Sequence, residues 1–252
     1  MDANNAMKRS RREFLETAGA VAASVALAGI SLRTRVAASA NGPGMKIGII
    51  GSGKIGGTLG GLWVKAGHEV MFSARNLDPV QKLAASLGPM AHPGTPKEAA
   101  VFGDVILISV PYGALPQLGR DLADDLKGKV VLDTCNPSPG RDGDMAVAAR
   151  AKGTGVASAE YLPGVRLVRA FNTVGSGALR SEAHRAGDKV AVPLAADDEA
   201  ALKIAIQLVK DAGFEPVVVG PLARAKEFDA GTAVYGKALT AAELRRGLGI
   251  GS

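Results

Sequence analysis

The sequence predicts an α/β protein built on a doubly wound, mostly parallel sheet, completed by a small C-terminal α/β extension. Three observations point to it. Apolar runs of strand length recur along the chain and alternate with amphipathic segments of helix length. One such run, Met45–Ile50, passes directly into the glycine series Gly51-Ser52-Gly53-Lys54-Ile55-Gly56. Glycine is abundant, 33 residues of 252, and aromatics are only 4%, a composition suited to a tightly turned α/β chain more than to a disulfide scaffold.

The length allows one sizeable core, or one core with a small appendage. A single cysteine, Cys135, excludes an intrachain disulfide and makes a cysteine-based zinc site implausible. Residues 1–40 hold six Lys and Arg against three acids, so half of the formal charge of +6 sits there; the remaining 24 basic residues face 21 acidic ones. That is an ordinary surface with no basic stripe interleaved with aromatics, which argues against nucleic-acid binding.

Residues 1–40 have the three parts of an export signal. A basic head contains Arg11-Arg12 followed by Phe14 and Leu15, an uncharged Ala- and Gly-rich stretch runs from Thr17 to Leu32, and Ala38-Ser39-Ala40 supplies small residues for cleavage after Ala40. The head is similar to the twin-arginine signal, with Glu16 where lysine is common. It implies the twin-arginine export machinery as a partner and a periplasmic location. The apolar stretch is too short and too weakly apolar to span a bilayer comfortably.

Residues 45–76 have the order of a Rossmann unit: strand, glycine motif, helix to Ala66, Gly67 as its stop, then a second strand ending at Ser73-Ala74-Arg75-Asn76. Within that order G-x-G-x-x-G has a mechanism. Gly51 allows the tight turn, Gly53 lets a pyrophosphate approach the backbone, and Gly56 lets the helix pack close to the strand. The free N–H groups of the helix start favour phosphates. A Rossmann shell without a ligand is the competing reading.

The second strand lacks the acid that would accept hydrogen bonds from an adenosine ribose and repel a 2′-phosphate. Ser73 offers a hydroxyl, Arg75 a fork of donors, and Asn76 an amide. The preferred nucleotide is therefore NADP over NAD, against the alternative of a solvated surface arginine. Asp78, ahead of Pro79, starts the next helix.

Thr95-Pro96-Lys97-Glu98 has the form of a capping box with proline at the first helical position. Three buried strands follow, in "DVILISVP", "KVVLDTCNP" and "VRLVRAFNTVGSG". Their ends, near Val110-Pro111, Asn136 and Phe171-Asn172-Thr173, should face the cofactor around its nicotinamide, because ligands of parallel sheets sit beyond the carboxyl ends of the strands. "KVAVPLAAD" and "EPVVVG" are two more strands, with a helix over 197–212 between them. The chain thus divides into the signal at 1–40, an NADP-binding domain at 41–165, and a C-terminal portion at 166–252 that completes the sheet and the substrate cleft.

A protein acid or base is missing. There is no Tyr-x-x-x-Lys, and the three histidines sit in unpromising places: His68 before the second strand, His92 in a Pro/Gly loop, and His184 in a charged segment. Cys135 reads as a buried filler thiol. A substrate whose own ring takes up the proton, such as a flavin or deazaflavin, would need only to be held against the nicotinamide.

The motifs "MKIGIIGSGKIGGTLG", "LISVPYGAL", "LDTCNP", "VRAFNTVGSGAL" and "DAGFEPVVVGPLARAKEFD" resemble the coenzyme F420-dependent NADP oxidoreductase family. They are also similar to the NADPH-binding domain of the six-transmembrane epithelial antigen ferric reductases. The resemblance implies phosphate contacts from Ser52, Gly53, Lys54 and Ile55, with Ser73 and Arg75 on the 2′-phosphate. It implies Val110, Pro111, Asn172 and Ser176 near the nicotinamide, F420 or a flavin as the redox co-substrate, and a homodimer. In that family the arginine commonly follows the serine directly, whereas Ala74 intervenes here. Two other readings stay open: a non-catalytic NADP-binding sensor, and a small-substrate reductase related to the pyrroline-carboxylate and hydroxyacid reductases. Reductases of that last kind usually append a large all-helical domain, whereas residues 160–252 hold at least three strand candidates.

Overall fold

The computed structural model describes residues 44–251; the expected signal at 1–40 lies outside the described residues. Eight strands form one sheet: β1 (Lys46–Ile50), β2 (Glu69–Ser73), β3 (Ala91–Gly94), β4 (Val105–Ile108), β5 (Val130–Asp133), β6 (Arg166–Arg169), β7 (Ala191–Ala196) and β8 (Glu215–Gly220). Their order is β3-β2-β1-β4-β5-β6-β7-β8. Every neighbouring pair is parallel except β6 with β7. The sequence order reverses between β1 and β4, so the loops that leave these two strands diverge and open a crevice above the sheet.

The strands read as continuous apolar runs because both sheet faces are covered. Alternate residues serve opposite faces. Ile47 and Ile49 of β1, with Val105 and Leu107 of β4, belong to one core. Ile50, Ile106 and Ile108 belong to the other. Trp63, on helix α1 (Lys54–Lys65), is buried in the first core, and its indole N–H donates to the Leu208 carbonyl at 2.8 Å.

No separate body begins at residue 166, because β6 pairs in parallel with β5. Arg166 makes a bidentate contact with Asp198 at 2.7 and 2.8 Å. Asp198 caps helix α3 (Glu199–Asp211) by accepting from the Ala201 N–H, so the expected helix over 197–212 starts two residues later. A third, smaller core under β7 and β8 includes Val217, Phe228 and Leu244. No all-helical domain occurs among the described residues, and no described helix is long and apolar enough to cross a membrane.

One expectation is corrected. His92 lies in a strand, β3, and not in a loop. Pro93 is tolerated there because β3 is an edge strand paired only with β2, so its missing N–H breaks no second ladder. His68 lies at the N-terminal end of β1, remote from the glycine turn. Its Nδ1 accepts from the Met45 N–H at 3.1 Å, and its Nε2 is 3.0 Å from the Asp211 carboxylate.

Candidate functional site

The glycine turn sits at the carboxyl end of β1. Gly51 has φ +99°, and a Cβ there would run into the Ser109 carbonyl. Its N–H and that of Ser52 both donate to the Ser73 carbonyl, at 3.1 and 2.8 Å, joining the turn to the end of β2. A Cβ on Gly56 would collide with the Gly51 carbonyl, so glycine is what lets α1 start so close to the strand.

Gly53 is the N-cap of α1. It supplies no side-chain cap, and the first turn of the helix holds no acid. The first intrahelical bond runs from Gly57 N–H to the Gly53 carbonyl at 2.8 Å, which leaves the N–H groups of Lys54, Ile55 and Gly56 without intrahelical acceptors. A Cβ built on Gly53 would meet nothing within 4 Å, so the space in front of these donors is open. The Ser52 hydroxyl is buried and has no partner. These features fit a pyrophosphate: unoccupied donors, a positive helix end, and no side chain in the way.

On the β2 side, Arg75 is exposed and makes no hydrogen bond or ion pair with the described residues. It is free to meet a phosphate beyond the second strand. Asn76 accepts from the Asp78 N–H at 3.2 Å and so shapes the start of helix α2 (Asp78–Leu87). Ser73 requires a correction. Its side chain is buried, and its hydroxyl donates to the Ile49 carbonyl at 2.6 Å. The pleat turns this side chain inward, so Ser73 braces β2 against β1 and its backbone, not its hydroxyl, shapes the turn.

On the other side of the crevice is a cleft of about 240 Å³ lined by Ile55, Thr134, Asn136, Phe171 to Gly175, Tyr235 and Gly236. Phe171 is a non-glycine residue at φ +58°, a conformation that is unusual for a bulky side chain. Edge-on contacts with Trp63 and Phe214, each at 6.2 Å between ring centroids, hold it there. The twist brings the backbone of residues 172–175 to the cleft. Asn172 is buried, donates to the Phe228 carbonyl at 3.2 Å, and keeps its Oδ1 without a partner.

Beneath the cleft lies a polar centre that sequence reasoning missed. Arg169 is fully buried. Its Nη1 donates to the Asp133 carboxylate at 3.0 Å and to the Cys135 carbonyl at 2.6 Å. Nη2 donates to Asn136 Oδ1 at 2.8 Å and reaches Asp229 at 3.5 Å. The signal was present as charge inside apolar strands: Arg169 in "VRLVRAF" and Asp133 in "VVLDTCNP". A third carboxylate, Asp142, joins two site loops by accepting from the Gly113 and Ser138 N–H groups at 3.1 and 2.8 Å. Arg141 beside it holds its pKa down, at about 2.

Val110, Pro111 and Ser176 are not among the residues lining this cleft. Val110 is half-buried, and its N–H donates to the Cys135 sulfur at 3.4 Å. Pro111 is exposed at the end of β4, and Ser176 is half-buried beside the lining residue Gly175. The Cys135 thiol is buried, which pushes its pKa up and leaves it protonated and unreactive at neutral pH. Among the described residues no cluster of His, Cys, Asp and Glu could hold a metal ion.

The chain is similar to several known proteins. The rat metalloreductase STEAP3 is 30% identical over 189 residues, which is 73% of this chain and 36% of the metalloreductase; the chain therefore spans about a third of that relative's length. A hypothetical protein from Sinorhizobium meliloti superposes with a TM-score of 0.67 at 22% identity, covering 78% of this chain and 95% of the other. A protein from Arthrobacter sp. FB24, provisionally named an F420-dependent NADP-reductase, gives 0.57 at 20% identity, covering 73% and 88%. A pyrroline-5-carboxylate reductase from Coxiella burnetii gives 0.51 at 17%, covering 70% of this chain and 59% of the other. At these identities the solved structures support the fold alone. Residues 46–137 match the family described as NADP oxidoreductase, coenzyme F420-dependent.

Proposed function

We propose that this protein is an NADPH-dependent oxidoreductase whose acceptor is a flat heterocycle of the flavin or deazaflavin type. The observation that carries the nucleotide half is the open donor set at Gly53–Gly56, flanked by Arg75. In this account the N–H groups of Lys54, Ile55 and Gly56 bind the pyrophosphate. Arg75 takes the 2′-phosphate as a charge-assisted fork. Asn172, which lines the cleft, orients the nicotinamide carboxamide.

NADPH, when bound, supplies a hydride. The chain's own contribution is to hold the two rings together and exclude water. Apart from the Tyr235 phenol, the residues lining the cleft carry no acid or base, which favours an acceptor that handles its own proton. The expected twin-arginine export also stands as a proposal, with the folded protein carrying its nucleotide to the periplasm. Steady-state oxidation of NADPH with F420, FMN, FAD and ferric chelates tests the enzymatic reading. Turnover with a flavin or deazaflavin supports it, and tight nucleotide binding with no turnover on any acceptor would instead indicate a sensor.

A further inference from the structure

We propose that Tyr235 is the acceptor-binding residue of this site, its ring forming one wall for the second heterocycle and its phenol donating to that heterocycle's polar edge. The inference rests on the nucleotide-dependent reading above and adds to it a residue outside the Rossmann unit. Two sides of the cleft differ in origin. Ile55, Thr134, Asn136 and Asn172 come from α1 and from the ends of β5 and β6, whereas Tyr235 and Gly236 come from the C-terminal segment.

That segment is fixed, not trailing. Asn172 donates to the Phe228 carbonyl at 3.2 Å, and the Thr154 N–H donates to Asp229 at 2.8 Å. The Gly236 N–H donates to the Thr173 carbonyl at 3.1 Å. Tyr235 is thereby held near the Phe171–Asn172 turn, by the Gly236 N–H on the Thr173 carbonyl and by side-chain bonds at residues 228 and 229.

Several other polar groups of the cleft are already engaged. Thr134 donates to the Ile108 carbonyl at 3.1 Å, and the Asn136 amide donates to the Asn172 carbonyl at 2.8 Å. The Tyr235 hydroxyl makes no hydrogen bond among the described residues, although the ring is half-buried. The buried Tyr112, by contrast, has its hydroxyl 3.4 Å from Ser158. A tyrosine with a packed ring and a free polar tip is a recognition element for a flat, hydrogen-bonding ligand. The absence of charged groups from the lining selects the ring system of an acceptor over a charged tail.

The test uses the full chain loaded with NADP⁺ and titrated with FMN, following quenching of flavin fluorescence, so that no turnover is required. Tyr235→Phe keeps the ring and should weaken FMN binding about 3- to 10-fold, the range for loss of one neutral hydrogen bond. Tyr235→Ala should weaken it further, on the order of 30-fold, as the wall is also lost. NADP⁺ affinity, measured separately by calorimetry, should stay within about twofold in both variants. The Phe variant keeps the packing, so a misfolded Ala variant would leave a decisive comparison. Equal FMN affinity in wild type and Tyr235→Phe and Tyr235→Ala would overturn the proposal, as would absence of FMN binding to the wild type. A parallel loss of NADP⁺ affinity would assign Tyr235 to the nucleotide instead and also overturn it. Failure of the wild type to bind NADP⁺ is a separate result that overturns this proposal and the nucleotide reading together.

Discussion

Arg169 donates through Nη2 to Oδ1 of Asn136 at 2.8 Å, and this contact decides which way the Asn136 amide faces. With its oxygen held from below, Asn136 must direct its Nδ2 to the Asn172 carbonyl, which it reaches at 2.8 Å. The backbone around it is held as firmly. Arg169 takes the carbonyl of Cys135 at 2.6 Å, Arg141 that of Asn136 at 2.8 Å, and Arg150 that of Pro137 at 3.1 and 3.0 Å. Three guanidinium groups therefore hold three consecutive carbonyls of the loop beside the cleft.

Removing the central cation should be severe. Arg169→Met leaves Asp133 fully buried and Asp229 nearly so, both without their counter-ion. A loss of about 3–5 kcal/mol in folding stability is expected, because breaking one side of a buried charge network strands the other. Urea denaturation measures it. A loss below about 1 kcal/mol would show that the centre contributes little to the fold.

Asp142 makes the site loops sensitive to acid. Its pKa is about 2 in the folded protein against an ordinary 3.8, because Arg141 and the Ser138 and Gly113 N–H groups favour the carboxylate. The folded value is depressed, so its contribution is complete above about pH 5. It is lost as the pH falls through the folded value. Asp142→Asn should lower stability by about 2 kcal/mol at neutral pH and flatten the pH dependence of stability between about pH 5 and 2. Thermal denaturation across that range provides the check, and an unchanged acid limb in the variant would argue against the assignment.

Gly53 separates binding from folding. It has φ −74°, and a Cβ there touches nothing, so Gly53→Ala should leave the melting temperature within about 2 °C. The same methyl group would stand in front of the helix N–H groups. Nucleotide affinity should then fall at least about tenfold. Unaltered affinity in this variant would remove the phosphate cradle from the account.

Export is testable on the chain itself. Replacing Arg11-Arg12 by Lys-Lys should abolish appearance of the protein in the periplasm, and the exported wild-type protein should begin at Asn41 and retain NADP(H). Recovery of fully active, nucleotide-free protein from the periplasm would contradict the idea that the nucleotide travels bound.

The sheet was legible because its strands are buried on both faces and so stand out as apolar runs; Met45–Ile50 passing into the glycine motif identified the nucleotide end. β3 was hidden because His92, Pro93 and Gly94 look like a loop, and only an edge position makes them a strand. Gly51, Gly53 and Gly56 were legible because each solves a backbone problem visible in the motif. Ser73 was misjudged because the side-chain direction at the last residue of a strand depends on register, and the pairing Ile50↔Ser73 turns its hydroxyl inward. Tyr235 and Asp229 reach the site only through the return of the C-terminal segment, a long-range placement with no local signature.

The central claim is that Arg75 grips a 2′-phosphate. Calorimetric titration of NADP⁺ and NAD⁺ into the wild type and Arg75→Gln tests it most directly. The wild type should favour NADP⁺ by about 10- to 100-fold, the range for charge-assisted contacts, and the variant should lose that preference through weaker NADP⁺ binding while NAD⁺ affinity stays the same. Equal affinity for the two nucleotides in the wild type, or a preference that survives the substitution, would contradict it.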